Sequence, residues 1–175
     1  MPADSTFDQV HRYINTAMGW LDYHLHEFEV EHRRIAAYDA DWESEWPHED
    51  EDGATLSDAL AGGARIFLYR YDFGDDWEHL VEVECVGPPE PGVFYPRCVE
   101  AVGACPPEDC GGPHGYLELL EALADPEDPQ HAELLQWLEE PLDPGLVDAE
   151  GIDRLLRLAA TGEIRPDDLD YFSGE

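Results

Sequence analysis

The sequence predicts an α+β domain: a twisted antiparallel β-sheet packed against several helices, with a cysteine-rich loop over the sheet. Three observations carry this. An amphipathic helical stripe opens the chain, a hairpin of alternating aromatic and acidic residues lies near its middle, and leucine-rich helical patterns fill its last third. A length of 175 residues suits one domain over 1–175.

The opening helix follows Ser5, a residue able to cap it. Phe7, Val10, Ile14, Ala17 or Met18, and Leu21 recur at three and four, and Gly19 lies near its end. His24, His26, Phe28 and Val30 alternate with Leu25, Glu27 and Glu29, so the two histidines share one face of a strand. A second strand, about Arg33 to Tyr38, returns as a hairpin. Asp39 to Asp52 holds eight acids in fourteen residues, and 39–53 therefore reads as a solvated acidic loop. Asp39, Asp41, Glu43 and Glu45 imitate the first ligands of a calcium-binding EF-hand. Ser44 in place of glycine, Pro47 at the ninth position and Asp50 in place of the bidentate Glu reject that reading. A short helical turn about Leu56 to Leu60 precedes the main hairpin.

That hairpin runs from Arg65 to Phe73, turns at Gly74-Asp75-Asp76, and returns over Trp77 to Val86. Setting Phe73 opposite Trp77 puts Phe67, Tyr69, Tyr71 and Phe73 on one face with Trp77, His79, Val81, Val83 and Cys85. Glu78, Glu82 and Glu84 then face water, and His79 lies among aromatic rings. Asp75 and Asp76 either cap the turn or reach the cysteine loop. Phe94 to Val99 reads as a short strand. Residues 114–175 read as helical, with stripes at Tyr116 to Leu123, Leu134 to Leu138 and Ile152 to Ala159, punctuated by Pro126, Pro129, Pro141 and Pro144.

Charge narrows the partners. Forty-two acids oppose nine arginines, with no lysine, for a net charge of −33. Direct nucleic-acid binding is disfavoured, because it is driven by Lys and Arg neutralising phosphate. No run approaches the roughly 18 apolar residues of a membrane span, and the N-terminus lacks a secretory pattern. The expected location is cytoplasmic, where cysteines are thiols or metal ligands more often than disulfides. The acid excess fits either a salt-rich, halophilic cytoplasm or a compositional bias that also replaces Lys by Arg.

The chemistry concentrates in Tyr95 to Tyr116, YPRCVEAVGACPPEDCGGPHGY. Cys98, Cys105, Cys110 and His114 are separated by six, four and three residues, and soft ligands held in a turn-rich loop point to zinc. No pair has the compact C-x-x-C spacing, so buried thiols ordered by Pro106-Pro107 and Gly111-Gly112 are the competing reading. His79 is a candidate fourth ligand if the loop folds over the hairpin, and the three cysteines should then converge on the Trp77 to His79 end. His24 and His26 form an H-x-H pair that can present two imidazoles to one ion, or one of them can hydrogen-bond a buried carbonyl or a Tyr hydroxyl while the other lies at the strand edge. If His24, His26 and His79 converge, the site is hydrolytic or redox, with Glu108 or Asp109 as base. Asp72-Phe73-Gly74 is a turn and no kinase signature, since neither a glycine-rich phosphate loop nor an HRD motif accompanies it.

YRYDFGDDWEHLVEVE at Tyr69 to Glu84, YPRCVEAVGACPPEDCGGPHGYLELLEAL at Tyr95 to Leu123 and AMGWLDYHLHEFEV at Ala17 to Val30 together resemble the plasmid pRiA4b open-reading-frame-three-like family, also labelled insertion-element passenger TnpR-like. The resemblance implies an α+β domain without an established activity, and an N-terminal strand ahead of the first helix that this chain lacks. That difference implies a mis-set start, a degenerate copy, or a sheet edge met by a partner chain. Two functions are expected from these readings. One is a metal-stabilised interaction or accessory module associated with mobile elements, with an unknown protein partner or self-association through a sheet edge. The other is a metal-dependent, hydrolase-like enzyme.

Overall fold

The computed structural model describes residues 1–37, 47–138 and 141–171. Helix α1 spans Phe7–Met18 and is capped by Thr6, whose hydroxyl accepts from the Gln9 amide while the Gln9 side chain accepts from the Thr6 amide. The expected cap, Ser5, is buried one residue earlier. Gly19 closes the helix at φ 76°, a left-handed turn that suits glycine.

Strands β1 (His26–Val30), β2 (Arg33–Ala36), β3 (Glu49–Asp50), β4 (Ile66–Tyr71) and β5 (Trp77–Glu82) form one sheet in the order β3-β2-β1-β4-β5. All neighbours are antiparallel except β2 and β3. The sheet is therefore mixed, and β3 is a strand where a solvated loop was expected. Residues 39–46 of that loop, the EF-hand-like positions among them, and Tyr38 lie outside the described residues. Glu51, just after β3, is buried, which corrects its expected place in solvent. Helix α2 (Leu56–Gly62) is capped by Thr55 and leads into β4.

Tyr71 pairs with Trp77, Tyr69 with His79 and Phe67 with Val81. This register differs by two residues from the expected one, and five residues, Asp72 to Asp76, form the turn. Side chains alternate with period two, so the shift preserves which residues share a face. It removes Phe73 from the strand, and Phe73 is 41% exposed. Asp72 and Asp76 both adopt positive φ, 55° each, and the Asp72 carboxylate accepts from the amides of Gly74 and Asp75, which builds the longer turn.

The inner face packs on α1. Phe7 meets Phe28 and Phe67 edge-on at 4.9 and 5.7 Å, and these rings, with Val10, Val30, Ile35, Ala59 and Tyr69, make the core. Helix α5 (Ala149–Thr161) covers α1 from outside, and a 3₁₀ helix over Pro166–Tyr171 also touches α1. Helices α3 (Gly112–Ala124) and α4 (His131–Trp137) pack together. Between β5 and α3, residues 94–98 form no strand; the Cys98 amide donates to Asp153 on α5, and Arg157 lies over the Phe94 ring.

A candidate metal and acid-base site under the cysteine loop

The site lies where the turn after α1, the sheet's inner face and the cysteine loop meet. Gly19 swings the chain back so that Trp20, 2% exposed, stacks on Tyr71 at 4.9 Å, and its indole N–H donates to the Pro106 carbonyl at 2.9 Å. The loop is also anchored by Glu108, whose carboxylate accepts from the Tyr71 hydroxyl and, at 2.7 Å, from the Leu21 amide. Both Glu108 oxygens are thus committed to holding the loop down. A third tie joins the hairpin turn, where the Asp75 carboxylate accepts from the Gly111 amide at 3.0 Å. The cysteine loop therefore lies over the aromatic face of the sheet.

Beneath it sits a buried polar cluster. Helix α1 contributes His11 and, one turn on, Asn15; the strands contribute His26 and Tyr69. His11 Nε2 is 2.7 Å from Asp22 Oδ1 and Nδ1 is 2.8 Å from the Tyr69 hydroxyl. His26 Nε2 is 2.6 Å from Glu51 Oε2. The two imidazoles stack with centroids 3.4 Å apart, and their side chains are 3% and 8% exposed. Burial is the main force lowering the affinity of His11 for a second proton, against the raising effect of Asp22, and His26 lowers it further. His11 thus bonds Asp22 through Nε2 and the Tyr69 hydroxyl through Nδ1, and that hydroxyl donates to Asn15 Oδ1 at 3.2 Å. Burial raises the Tyr69 hydroxyl far above the usual tyrosine range, so it remains a proton donor.

A second cluster lies nearer the surface. His24 Nε2 is 3.2 Å from Asp109 Oδ1 and 3.7 Å from Asp72 Oδ2, yet it forms a hydrogen bond with neither. The turn explains how Asp72 serves here: Oδ1 is occupied by the Gly74 and Asp75 amides, which leaves Oδ2 for His24. Among the described residues two groups place three ligand atoms within 4.8 Å of one another, His11-Asp22-His26 and His24-Asp72-Asp109. All three of their carboxylates stand on residues at positive φ, 62° at Asp22, 55° at Asp72 and 56° at Asp109. This backbone is uncommon outside glycine and clusters where a side chain must be aimed.

No cysteine belongs to either group, and the structure does not gather the sequence-predicted ligands into one set. Cys98 is tied to α5 through its amide, Cys105 packs against the core, and Cys110 sits at the turn into α3. All are free thiols. Burial raises Cys105 to about 12 and Cys110 to about 11, so both carry their protons at neutral pH. His79 lies among rings as expected, 5.4 Å from Trp20 and 5.5 Å from Tyr69, and burial lowers its pKa. His114 is exposed beside Glu118. His24 and His26 part company, one to each cluster. His11, Asp22, Glu51 and Asp72 escaped the sequence reading. Only His11 left a signal, a polar residue four after Phe7 on the buried stripe of α1.

Beyond Asp109 opens a pocket of about 360 Å³, lined by Cys110, Glu118, Leu119, Glu133, Leu134 and Trp137 among others. Asp109 belongs to both the cluster and the pocket wall, and its side chain is 67% exposed.

Residues 1–151 match the family described as plasmid pRiA4b ORF-3-like protein. The chain belongs to that family. It is 41% identical over 137 residues to the uncharacterized protein y4hQ of Sinorhizobium fredii, which covers 78% of this chain and 70% of the relative. It also resembles the crystal structure of MM3350 from Methanosarcina mazei, a protein of unknown function, with a TM-score of 0.77 and 38% identity over 86% of this chain and 84% of the other. These matches fix the family and the α+β fold, and none of the three descriptions states a reaction.

Proposed function

We propose that the protein is a metal-dependent, hydrolase-type enzyme holding one divalent cation, zinc or manganese, at His24, Asp72 and Asp109. The observation that carries this reading is His24 Nε2, which faces two carboxylates at 3.2 and 3.7 Å without a hydrogen bond to either. One imidazole and two carboxylates suit ions of that class, and two charges on the ion offset two carboxylates. Three protein ligands leave an open position, the arrangement of catalytic rather than structural sites, and here Asp109 opens on the pocket. A bound ion supplies an activated water. Glu108 is a positioning residue in this scheme, because both of its oxygens already bind the fold.

The test is metal content of protein purified without chelator. About one ion per chain is expected in the wild type and in Cys105→Ser, and less than about 0.2 in His24→Ala and Asp109→Asn. Full loading of His24→Ala, or an unloaded wild type after zinc and manganese are supplied, overturns the reading.

The family description favours a second reading, a metal-stabilised accessory module associated with mobile elements. Metal loss that unfolds the chain supports the module; metal loss that leaves the melting midpoint in place supports the enzyme.

A further inference from the structure

The pocket beside Asp109 is a second feature with its own chemistry. Three acidic residues, Asp109, Glu118 and Glu133, line it with no arginine or histidine among the lining residues, while His24 stands 3.2 Å from Asp109 and His114 3.5 Å from Glu118 just outside. The remaining surface is apolar or neutral, chiefly Leu119, Leu134 and the indole of Trp137. Helix α4 brings Leu134 and Trp137 to this wall although none of its residues is buried, and Trp137 is 44% exposed. The Trp137 indole is thus left partly exposed at the concavity. An aromatic ring and acidic residues around one concavity suit a cation on an apolar stem: a ring face attracts the charge, the acids offset it, and the leucines cover the stem. The same wall repels anions.

We infer that this pocket binds a small organic cation, a primary ammonium group on a short apolar stem, as the substrate class of the neighbouring metal site. The inference rests on the proposed enzyme reading for the word substrate, while the binding stands on the pocket alone. Asp109 ties the two together, since it lines the pocket and faces His24. An ammonium ligand in this pocket thus shares a wall residue, Asp109, with the metal site. The acids of the wall disfavour phosphate esters and other anionic ligands in the pocket itself.

The experiment compares 2-phenylethylamine with 2-phenylethanol and phenylacetate by titration calorimetry on the full chain in 0.5 M KCl, which suppresses the background attraction of a net charge of −33. The amine should bind about tenfold more tightly than the alcohol, and phenylacetate not measurably, as one paired and ring-contacted charge requires. Trp137→Ala should weaken the amine about tenfold and Glu133→Gln about threefold, whereas Glu150→Gln on α5, which does not line the pocket, should leave it unchanged. Glu133→Gln keeps the volume and shape of the side chain, so it tests the charge even if Trp137→Ala loosens α4. Equal binding of amine and alcohol, or equal amine binding by wild type and both pocket variants, overturns the inference. His24→Ala separates the two proposals. Retained amine preference in that variant supports the pocket whatever the metal content, and a metal-loaded wild type without amine preference sinks the pocket and leaves the metal site standing.

Discussion

Gly112 shows how closely one residue can determine the site. It sits at φ 67° where the loop enters α3, and a Cβ added there would lie 2.1 Å from the Asp75 carbonyl oxygen. Backbone, not a flexible side chain, occupies that space, so Gly112→Ala must push the loop off the hairpin turn. A loss of about 2–4 kcal/mol is expected from the strained φ and the collision together, read as the midpoint of urea unfolding; a change below about 0.5 kcal/mol would mean that the contact yields freely. Tyr69→Phe is the polar counterpart. It deletes the hydroxyl that meets His11 at 2.8 Å and Asn15 at 3.2 Å, leaving two buried groups without it. About 1–3 kcal/mol should be lost. The sequence places Tyr69 and His79 on the inner face, but it does not place His11 or Asp22 beside them. Alternation fixes a face within one strand, whereas the His11 contact joins residues 58 apart through helix-on-sheet packing that no local pattern encodes. A pH prediction follows from the imidazoles. Burial holds His11 and His79 below the ordinary 6.5, so the unfolded chain takes up protons that the folded chain refuses. Stability is then intact above about pH 6.5 and falls as the pH drops below it. Urea midpoints between pH 7.5 and 5.5 should decline, and less steeply in His79→Phe; a flat wild-type profile contradicts neutral buried histidines.

Among the elements, the hairpin and the cysteine loop act as one unit because the turn between β4 and β5 is five residues long. Three residues would have closed the strands, but the longer turn lets Asp75 reach the Gly111 amide and Asp72 turn one oxygen toward His24. The expected register failed here for a physical reason. The aromatic alternation continues into Phe73, while Asp72 takes a left-handed backbone and ends the ladder at Tyr71. Alternation alone cannot see where a strand stops. The same applies to β3, two acidic residues whose strand exists only because β2 lies beside them. Helices α1, α3 and α5 were legible because their apolar periodicity runs through 12 or 13 residues, whereas α4, seven residues long, left only a short leucine cluster. The loop-to-turn tie is testable by hydrogen exchange. Asp75→Ala should speed exchange of the Gly111 amide about tenfold or more, the loss expected for one charge-assisted hydrogen bond, while amides in β1 and β4 keep their protection. Unchanged exchange at Gly111 would show that Trp20 and Glu108 alone hold the loop.

For the molecule as a whole, the acids set a balance between binding and folding. Forty-two acids against nine arginines repel one another across every surface, and that repulsion works against compaction. The arginines are spent locally: Arg70 alone pairs with Glu27, Asp76 and Glu78, and Arg33 with Glu49. Such exposed pairs contribute little singly, so they do not offset the global excess. Screening does. Raising ionic strength from 0.1 to 1 M shortens the Debye length from about 10 to about 3 Å, less than the spacing of most surface acids. The melting midpoint should therefore rise through molar KCl, by about 2–4 °C for each kcal/mol of repulsion removed. The site should respond in the opposite direction, because the field that strains the fold also draws cations to His24, Asp72, Asp109 and the pocket beyond. Metal affinity is thus expected to weaken over the same KCl range in which the fold is strengthened. A midpoint that stays level or falls with KCl would remove the salt-adapted reading of the composition, and metal affinity unaffected by KCl would show that the three ligands, not the molecule's field, set the binding.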